Sequence, residues 1–262
     1  MAGLLPTHLR AKSTLPLFCT EVWLVAAALL LCAIPFGWTG LLAPFIWLTL
    51  CALENADGWR RGLVYLIAAL LMSSAALGVL PGSERILLAP TYSDSSGNSI
   101  QAAINPGKAV IAIAMLVLLA RSRYRPRCND LPFIAAVILI PLSCAAAVFG
   151  LSAKFAPTIV PAAMVNLLVV CISEEGFFRW ILQRALEEGF GRWRWCVPMA
   201  VTAIFTGLHT GWAASPVVLL LVSVAGFCYA GLWYLRRSFW ACVLAHWGVN
   251  ALHMFLLPYP LH

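Results

Sequence analysis

The stretch Val169-Val170-Cys171-Ile172-Ser173-Glu174-Glu175-Gly176-Phe177-Phe178-Arg179 places three charged side chains inside an apolar run that extends from Phe155 to Leu182. What surrounds it decides how it is read. Of 262 residues, 62% are hydrophobic and only 10% are charged, against roughly 45–50% and 25% in soluble domains. A chain so poor in charge cannot cover its surface with polar groups in water. It reads as an integral membrane protein, and the run as a bilayer-crossing helix, which needs about 20 apolar residues.

Working outward, comparable runs fall at Leu15–Phe36, Gly62–Leu80, Leu131–Gly150, Trp195–Ala214, Pro216–Leu235 and Phe239–Leu257, with shorter ones at Trp38–Leu53 and Ala109–Ala120. The fold class is therefore all-α: a polytopic transmembrane helix bundle of about nine spans, with eight as the alternative count. Positive charge tests the parity, because Lys and Arg gather on the cytoplasmic side. With the N-terminus inside, thirteen basic residues are cytoplasmic, from Arg10 and Lys12 through Arg60, Arg61 and the Arg121–Arg127 cluster to Arg236 and Arg237. Arg85, Lys108 and Lys154 are outside, and Arg179 remains within a span. Omitting either short run would put the four-Arg cluster outside. Nine spans with a cytoplasmic N-terminus is the favoured parity. The net charge of +7 then describes topology, and a nucleic-acid partner is not implied.

The first run follows Arg10 and Lys12 as a signal peptide would, but it exceeds the usual apolar length of about 7–15 residues, so a retained helix is expected. Residues 81–108 form the one sizeable loop, rich in Ser, Gly, Pro and Asn, and read as irregular or mobile. No internal repeat of the transporter kind is visible. The nine cysteines are scattered singly without a C-x-x-C, as small apolar side chains rather than a disulfide or metal framework. The ending Pro258-Tyr259-Pro260-Leu261-His262 carries no lipidation signal.

Ionisable groups in apolar runs are costly unless paired or used. Only Glu174 and Glu175 among ten acidic residues sit deep. His8 and His262 are terminal, which leaves His209, His246 and His253 in the last helices. At about 1.5 Å per residue, Glu174, His209 and His246 lie roughly 15, 16 and 14 Å from their cytoplasmic ends, a common depth that suggests one buried site. Glu175 and Arg179, at i,i+4, are read as a structural ion pair. Glu174, rotated by about 100°, is left to face something else. Phe205 and His209, and His246 and Asn250, are also i,i+4. Gly207 and Gly211 flank His209 so that a helix, or else water or substrate, can approach it. A buried glutamate beside a histidine can activate water, and His246 with Asn250 can present donors to a developing oxyanion. No Ser or Cys has an evident base at fixed spacing. His253 is read as an interhelical hydrogen-bonder, and Trp193–Trp195 as an interfacial belt.

In this order, Glu174-Glu175-x-x-x-Arg179, Phe205-x-x-x-His209 and His246-x-x-x-Asn250 resemble the three motifs of the CPBP (Abi) family of membrane-embedded proteases, relatives of the type II CAAX prenyl protease. The resemblance covers Val169–Leu257. It implies one integral membrane domain over 1–262, with an accessory five-span part at 15–150 and a four-span catalytic core at 155–257. It also implies that Glu174 and His209 activate the attacking water, that His246 and Asn250 stabilise the oxyanion, and that Glu175, Arg179 and Phe205 support the site. Glutamic chemistry without a cofactor is the expectation. Zinc held by Glu and two His is the alternative, although H-E-x-x-H is absent. Trp180 departs from the Gly that follows the motif Arg in many members, which bears on substrate size. The implied partners are a membrane-anchored protein or peptide cleaved near its C-terminus and the lipid bilayer, in a multi-pass protein of a bacterial inner membrane. The competing readings are a protease of a C-terminal sorting or peptide-maturation system, a non-catalytic binder or immunity protein, and a proton-coupled carrier.

Overall fold

The computed structural model describes residue 17 and residues 19–122, 125–211, 213 and 215–260. Arg10, Lys12 and Arg123 of the charge count, His8, His262 and the ends of the expected spans at Leu15 and Ala214 lie outside the described residues. Among the described residues the helices are α1 (Thr20–Gly40), α2 (Leu42–Asn55), α3 (Gly58–Ala76), α4 (Pro106–Arg121), α5 (Cys128–Phe149), α6 (residues 159–190), α7 (Val197–Leu208), α8 (Pro216–Arg236) and α9 (Phe239–Leu256). Each expected apolar run is thus helical over most of its described length.

Among the described residues five helical runs are long and apolar enough to cross a bilayer: α1, α5, the stretch Ile159–Leu208, α8 and α9. The other helices fall short for visible reasons. With 14 and 16 residues, α2 and α4 rise only about 21 and 24 Å against a hydrocarbon core of about 30 Å. Arg60 and Arg61 lie in the first turn of α3. The expected span at Trp195–Ala214 is shorter than its hydropathy suggests, because α7 stops at Leu208 and its twelve residues rise only about 18 Å. Gly191, at φ 52°, ends α6 and opens a 3-10 turn at Gly191–Cys196 that leads into α7.

The chain divides into two units that interleave along the sequence, comprising the described residues of 1–86, 104–124 and 172–192, and those of 87–103, 125–171 and 193–260. This division does not follow the sequence boundary at 150–155, since α5 belongs to the second unit and the end of α6 to the first.

In the first unit α2, α3 and α4 pack on one another and on residues 172–190, around Ile46, Trp47, Leu50, Met72, Ile111 and Trp180, all buried. In the second unit α5, α8 and α9 are neighbours, and α7 lies along α8. Only 17% of the most apolar window of α5 is buried, so its Leu131, Leu139 and Ile140 present an apolar face outward, as a lipid-facing helix does.

The loop expected to be irregular is ordered where it joins the second unit. Tyr92–Ser93 pairs antiparallel with Ser99–Ile100, in register Tyr92↔Ile100. Asp94 ties the turn: its Oδ1 accepts from the N–H groups of Ser96 and Asn98 (2.9 and 3.0 Å), and its Oδ2 accepts from the Asn98 amide (2.7 Å) and the Tyr92 hydroxyl (3.1 Å). The Asn98 amide, more than the other donors, holds the Asp94 carboxyl below the usual carboxylate range. Ile100 and Ala102 enter a core with Ile159, Ala163, Ala251 and Met254. Hydropathy misses this hairpin because its order comes from side-chain–backbone bonds and a few small apolar contacts.

Lys154, placed outside by the charge count, is buried, and its ammonium donates to the carbonyls of Ser152 (2.9 Å) and Leu257. Burial pushes its pKa down. His253 lies 3.0 Å from the Pro258 carbonyl and edge-on to Tyr259. It thereby secures the segment that follows its own helix.

Candidate active site

The carboxylates sit on a short α-helical turn, Ile172–Glu175, between two i→i+5 stretches at Asn166–Cys171 and Gly176–Gln183. Such wide turns are uncommon and recur at functional sites. They also rise less per residue than an α-helix, so the ten-residue count from Arg184 overstates how far Glu174 stands from that end. Glu174 is partly exposed, and its Oε1 lies 2.5 Å from the Lys108 ammonium. Lys108 is therefore not the loop charge that the sequence suggested. It stands in the first turn of α4.

Glu175 and Arg179 are both fully buried and paired at 3.0 Å between Oε2 and Nε, as the spacing predicted. The pair continues into a ladder: Arg179 Nη1 donates to Gln183 Oε1 (3.2 Å), and Gln183 Nε2 donates to Glu187 Oε1 (3.0 Å). Four side chains at i,i+4 steps thus bond one to the next along a single helix face, although among the described residues the buried Arg179 Nη2 finds no hydrogen-bond partner. Beyond the ladder, Glu188 accepts from Arg61 Nε (2.7 Å), the Tyr65 hydroxyl (2.9 Å) and Arg184 Nε (3.3 Å), while Arg184 also pairs with Glu54 (2.8 Å). This network ties α2 and α3 to the end of α6.

The histidines belong to the second unit. His209 follows the last residue of α7 and caps that helix. Its Nδ1 lies 2.7 Å from the Phe205 carbonyl. A carbonyl only accepts, so Nδ1 is the donor in this contact, and in the neutral tautomer this selects, Nε2 bears the lone pair. The Phe205 ring packs against His209 (centroids 4.4 Å) and edge-on to His246 (6.4 Å). Phe205 thus lies between the two imidazoles. His246, 4% exposed, stacks on Tyr229 at 4.7 Å and 21°. Asn250, one turn along α9, donates through Nδ2 to Asn166 Oδ1 (3.2 Å), which also accepts from the Cys171 thiol (3.1 Å). This bond restrains the Asn250 amide and directs its Nδ2 toward Asn166.

Residues 155–252 match the family model described as Type II CAAX prenyl endopeptidase Rce1-like. Over this stretch the chain is similar to the CAAX protease-like family. The match takes in Glu174, Glu175, Arg179, Phe205, His209, His246 and Asn250 together, over rather more than a third of the chain. No curated protein and no solved structure gives a significant match. The family is one of membrane proteases, and the match, with the five long apolar helices among the described residues, supports an integral, multi-pass membrane protein.

Within the CAAX protease-like segment two expectations change. No helix lies close to Gly207 or Gly211: among the described residues nothing is within 4 Å of where a Cβ would stand on either, which leaves the alternative of water or substrate open there. The close approach is at Gly226 of α8, where a Cβ would fall 2.8 Å from Phe205 Cδ1. That glycine makes room for the ring between the histidines. Trp180, the departure from the family pattern, is buried in the first unit with the Arg184 guanidinium 5.4 Å over its ring.

Four residues around the motifs were not foreseen. Lys108, Gln183, Asn166 and Tyr229 each touch a motif residue directly. For Gln183 a signal was available, since it continues the i,i+4 series of Glu175 and Arg179. The other three reach the motifs from distant points in the sequence, where single-sequence spacing gives no hint.

Proposed function

We propose that this protein is an intramembrane endopeptidase that cleaves a membrane-anchored protein or peptide near its C-terminus, using water activated by Glu174 and His209. In this reading Glu174 takes a proton from the water as its oxygen attacks the scissile carbonyl. His209, with Nδ1 held on the Phe205 carbonyl, is the second group assigned to activating the water. His246 and Asn250 donate to the oxyanion of the tetrahedral intermediate, as donors set in place before reaction do most effectively. The proton then passes to the leaving amine as the C–N bond breaks. Glu175 and Arg179 hold the turn that carries Glu174, and Phe205 spaces the histidines.

One observation carries the proposal: the family match spans all three motifs in a single stretch. Local geometry supports it, through the tautomer selected at His209 and the restrained Asn250 amide. The proposal extends to nine spans with a cytoplasmic N-terminus, to a bacterial inner membrane, to the absence of a nucleic-acid partner, and to glutamic chemistry without a cofactor. The purified protein should release fragments from detergent-solubilised native membranes. Glu174→Ala and His209→Ala should abolish this, and 1,10-phenanthroline should leave it unchanged. Inhibition reversed by added Zn²⁺ would replace glutamic with zinc chemistry. Wild-type turnover by either variant would overturn the assignment.

A further inference from the structure

The first turn of α4 is built as a holder for a cation. Asn105 caps it, with Oδ1 accepting from the Lys108 N–H at 3.0 Å, and Pro106 takes the first helical position. Gly107 then lies so near α3 that a Cβ would fall 1.7 Å from the Ala75 carbonyl oxygen. Only glycine fits there, so the turn rests directly on the α3 backbone. Lys108 comes next, and its ammonium reaches Glu174 Oε1 at 2.5 Å. Two turns along the same face, Met115 meets Gly176, where a Cβ would stand 2.9 Å from Met115 Cγ. The face of α4 that bears Lys108 is thereby held against the turn that bears Glu174 at two points.

A lysine in the first turn of a helix opposes the helix dipole. Neither capping nor propensity asks for a cation there, and an apolar side chain would pack with less desolvation. The position therefore makes sense through its contact with the carboxylate.

We propose that Lys108 is a positioning residue for the peptidase reaction: its ammonium anchors Oε1 of the Glu174 carboxylate and so restricts where that group receives the proton of the attacking water. This rests on the reading of Glu174 as the base. A long flexible glutamate turns about three side-chain bonds, and a displacement near 1 Å can cost about 10²-fold in rate. Lysine supplies a point charge on a flexible stem. Arginine supplies the same charge through a planar fork, so it can restore the contact in part.

The test uses the full-length purified protein acting on the native membrane fraction, with released termini quantified by mass spectrometry and thermal stability measured in parallel. Lys108→Met is expected to slow release about 10²-fold with an unchanged melting temperature, and Lys108→Arg to recover at least a tenth of the wild-type rate. Wild-type release by Lys108→Met, with Glu174→Gln inactive, overturns the positioning role and leaves the peptidase reading intact. Equal losses in Lys108→Met and Lys108→Arg, accompanied by lowered melting temperatures, mark a purely structural lysine and also overturn it. No release by the wild type overturns the peptidase reading, and the positioning role with it.

Discussion

Replacing Arg179 by methionine should be among the most damaging single changes in this protein. The guanidinium and its Glu175 partner are both fully buried, 3.0 Å apart. Methionine fills much of the volume but leaves the Glu175 carboxylate without its cation in a site closed to water. Breaking a buried pair from one side costs about 3–5 kcal/mol. Gln183 Oε1 also loses a donor, worth about 1 kcal/mol more. A loss of roughly 4–6 kcal/mol follows, a large fraction of the 5–15 kcal/mol that typically holds a domain.

Glu175→Gln should cost less, about 2–3 kcal/mol, because the amide oxygen can still accept from Nε. The double variant Glu175→Leu/Arg179→Met removes both charges and should recover most of the loss, since an apolar pair often matches a buried ion pair. Equilibrium unfolding in mixed micelles, followed by tryptophan fluorescence at increasing SDS, measures all three. A loss below about 1 kcal/mol for Arg179→Met, or additive losses in the double variant, would refute the reasoning.

Other consequences lie in the second unit and its hairpin. Gly226→Ala places a methyl 2.8 Å from Phe205 Cδ1 and should cost about 1–3 kcal/mol by overpacking, with a fall in turnover as the ring shifts against both histidines. Thermal melts and cleavage rates measured together would show it. Asn166→Ala removes the acceptor that pins Asn250 and should lower kcat while destabilising the fold by only about 1 kcal/mol; an unchanged kcat would contradict this. The Asp94 carboxyl is held below its usual range by its hairpin donors, so its stabilisation is complete above the unfolded carboxylate value and is lost as pH falls through the lower native one. Hydrogen exchange across residues 96–100, corrected for intrinsic rates, should show constant protection from neutral to mildly acidic pH and a loss only below the ordinary carboxylate range.

The sequence revealed what depends on local spacing. Apolar runs long enough for helices, the Glu175–Arg179 pair, and the i,i+4 contact of Phe205 with His209 all follow from periodicity along one element. Burial that depends on distant partners did not show. Asp130 and Glu187 lie near helix ends, where charge is usually solvated, yet both are buried. Arg236 covers Asp130, and Gln183 reaches Glu187. Lys108 and Lys154 were assigned to the outside by charge asymmetry, which records the side of the membrane and says nothing of side-chain contacts. The length of α7 was overestimated because the expected run was carried through His209, Thr210 and Gly211, whereas the helix stops at Leu208. The Ser- and Gly-rich composition of 93–99 concealed a hairpin whose order comes from Asp94 and Asn98.

The central claim is that this chain cuts peptide bonds with Glu174. Membranes from cells producing the wild type or Glu174→Gln, analysed by mass spectrometry for new protein termini and for proteins that co-purify with the chain, test it most directly. The account predicts new termini near C-terminal ends with the wild type alone, and the uncleaved precursor retained by Glu174→Gln. Identical termini in the two samples would contradict it.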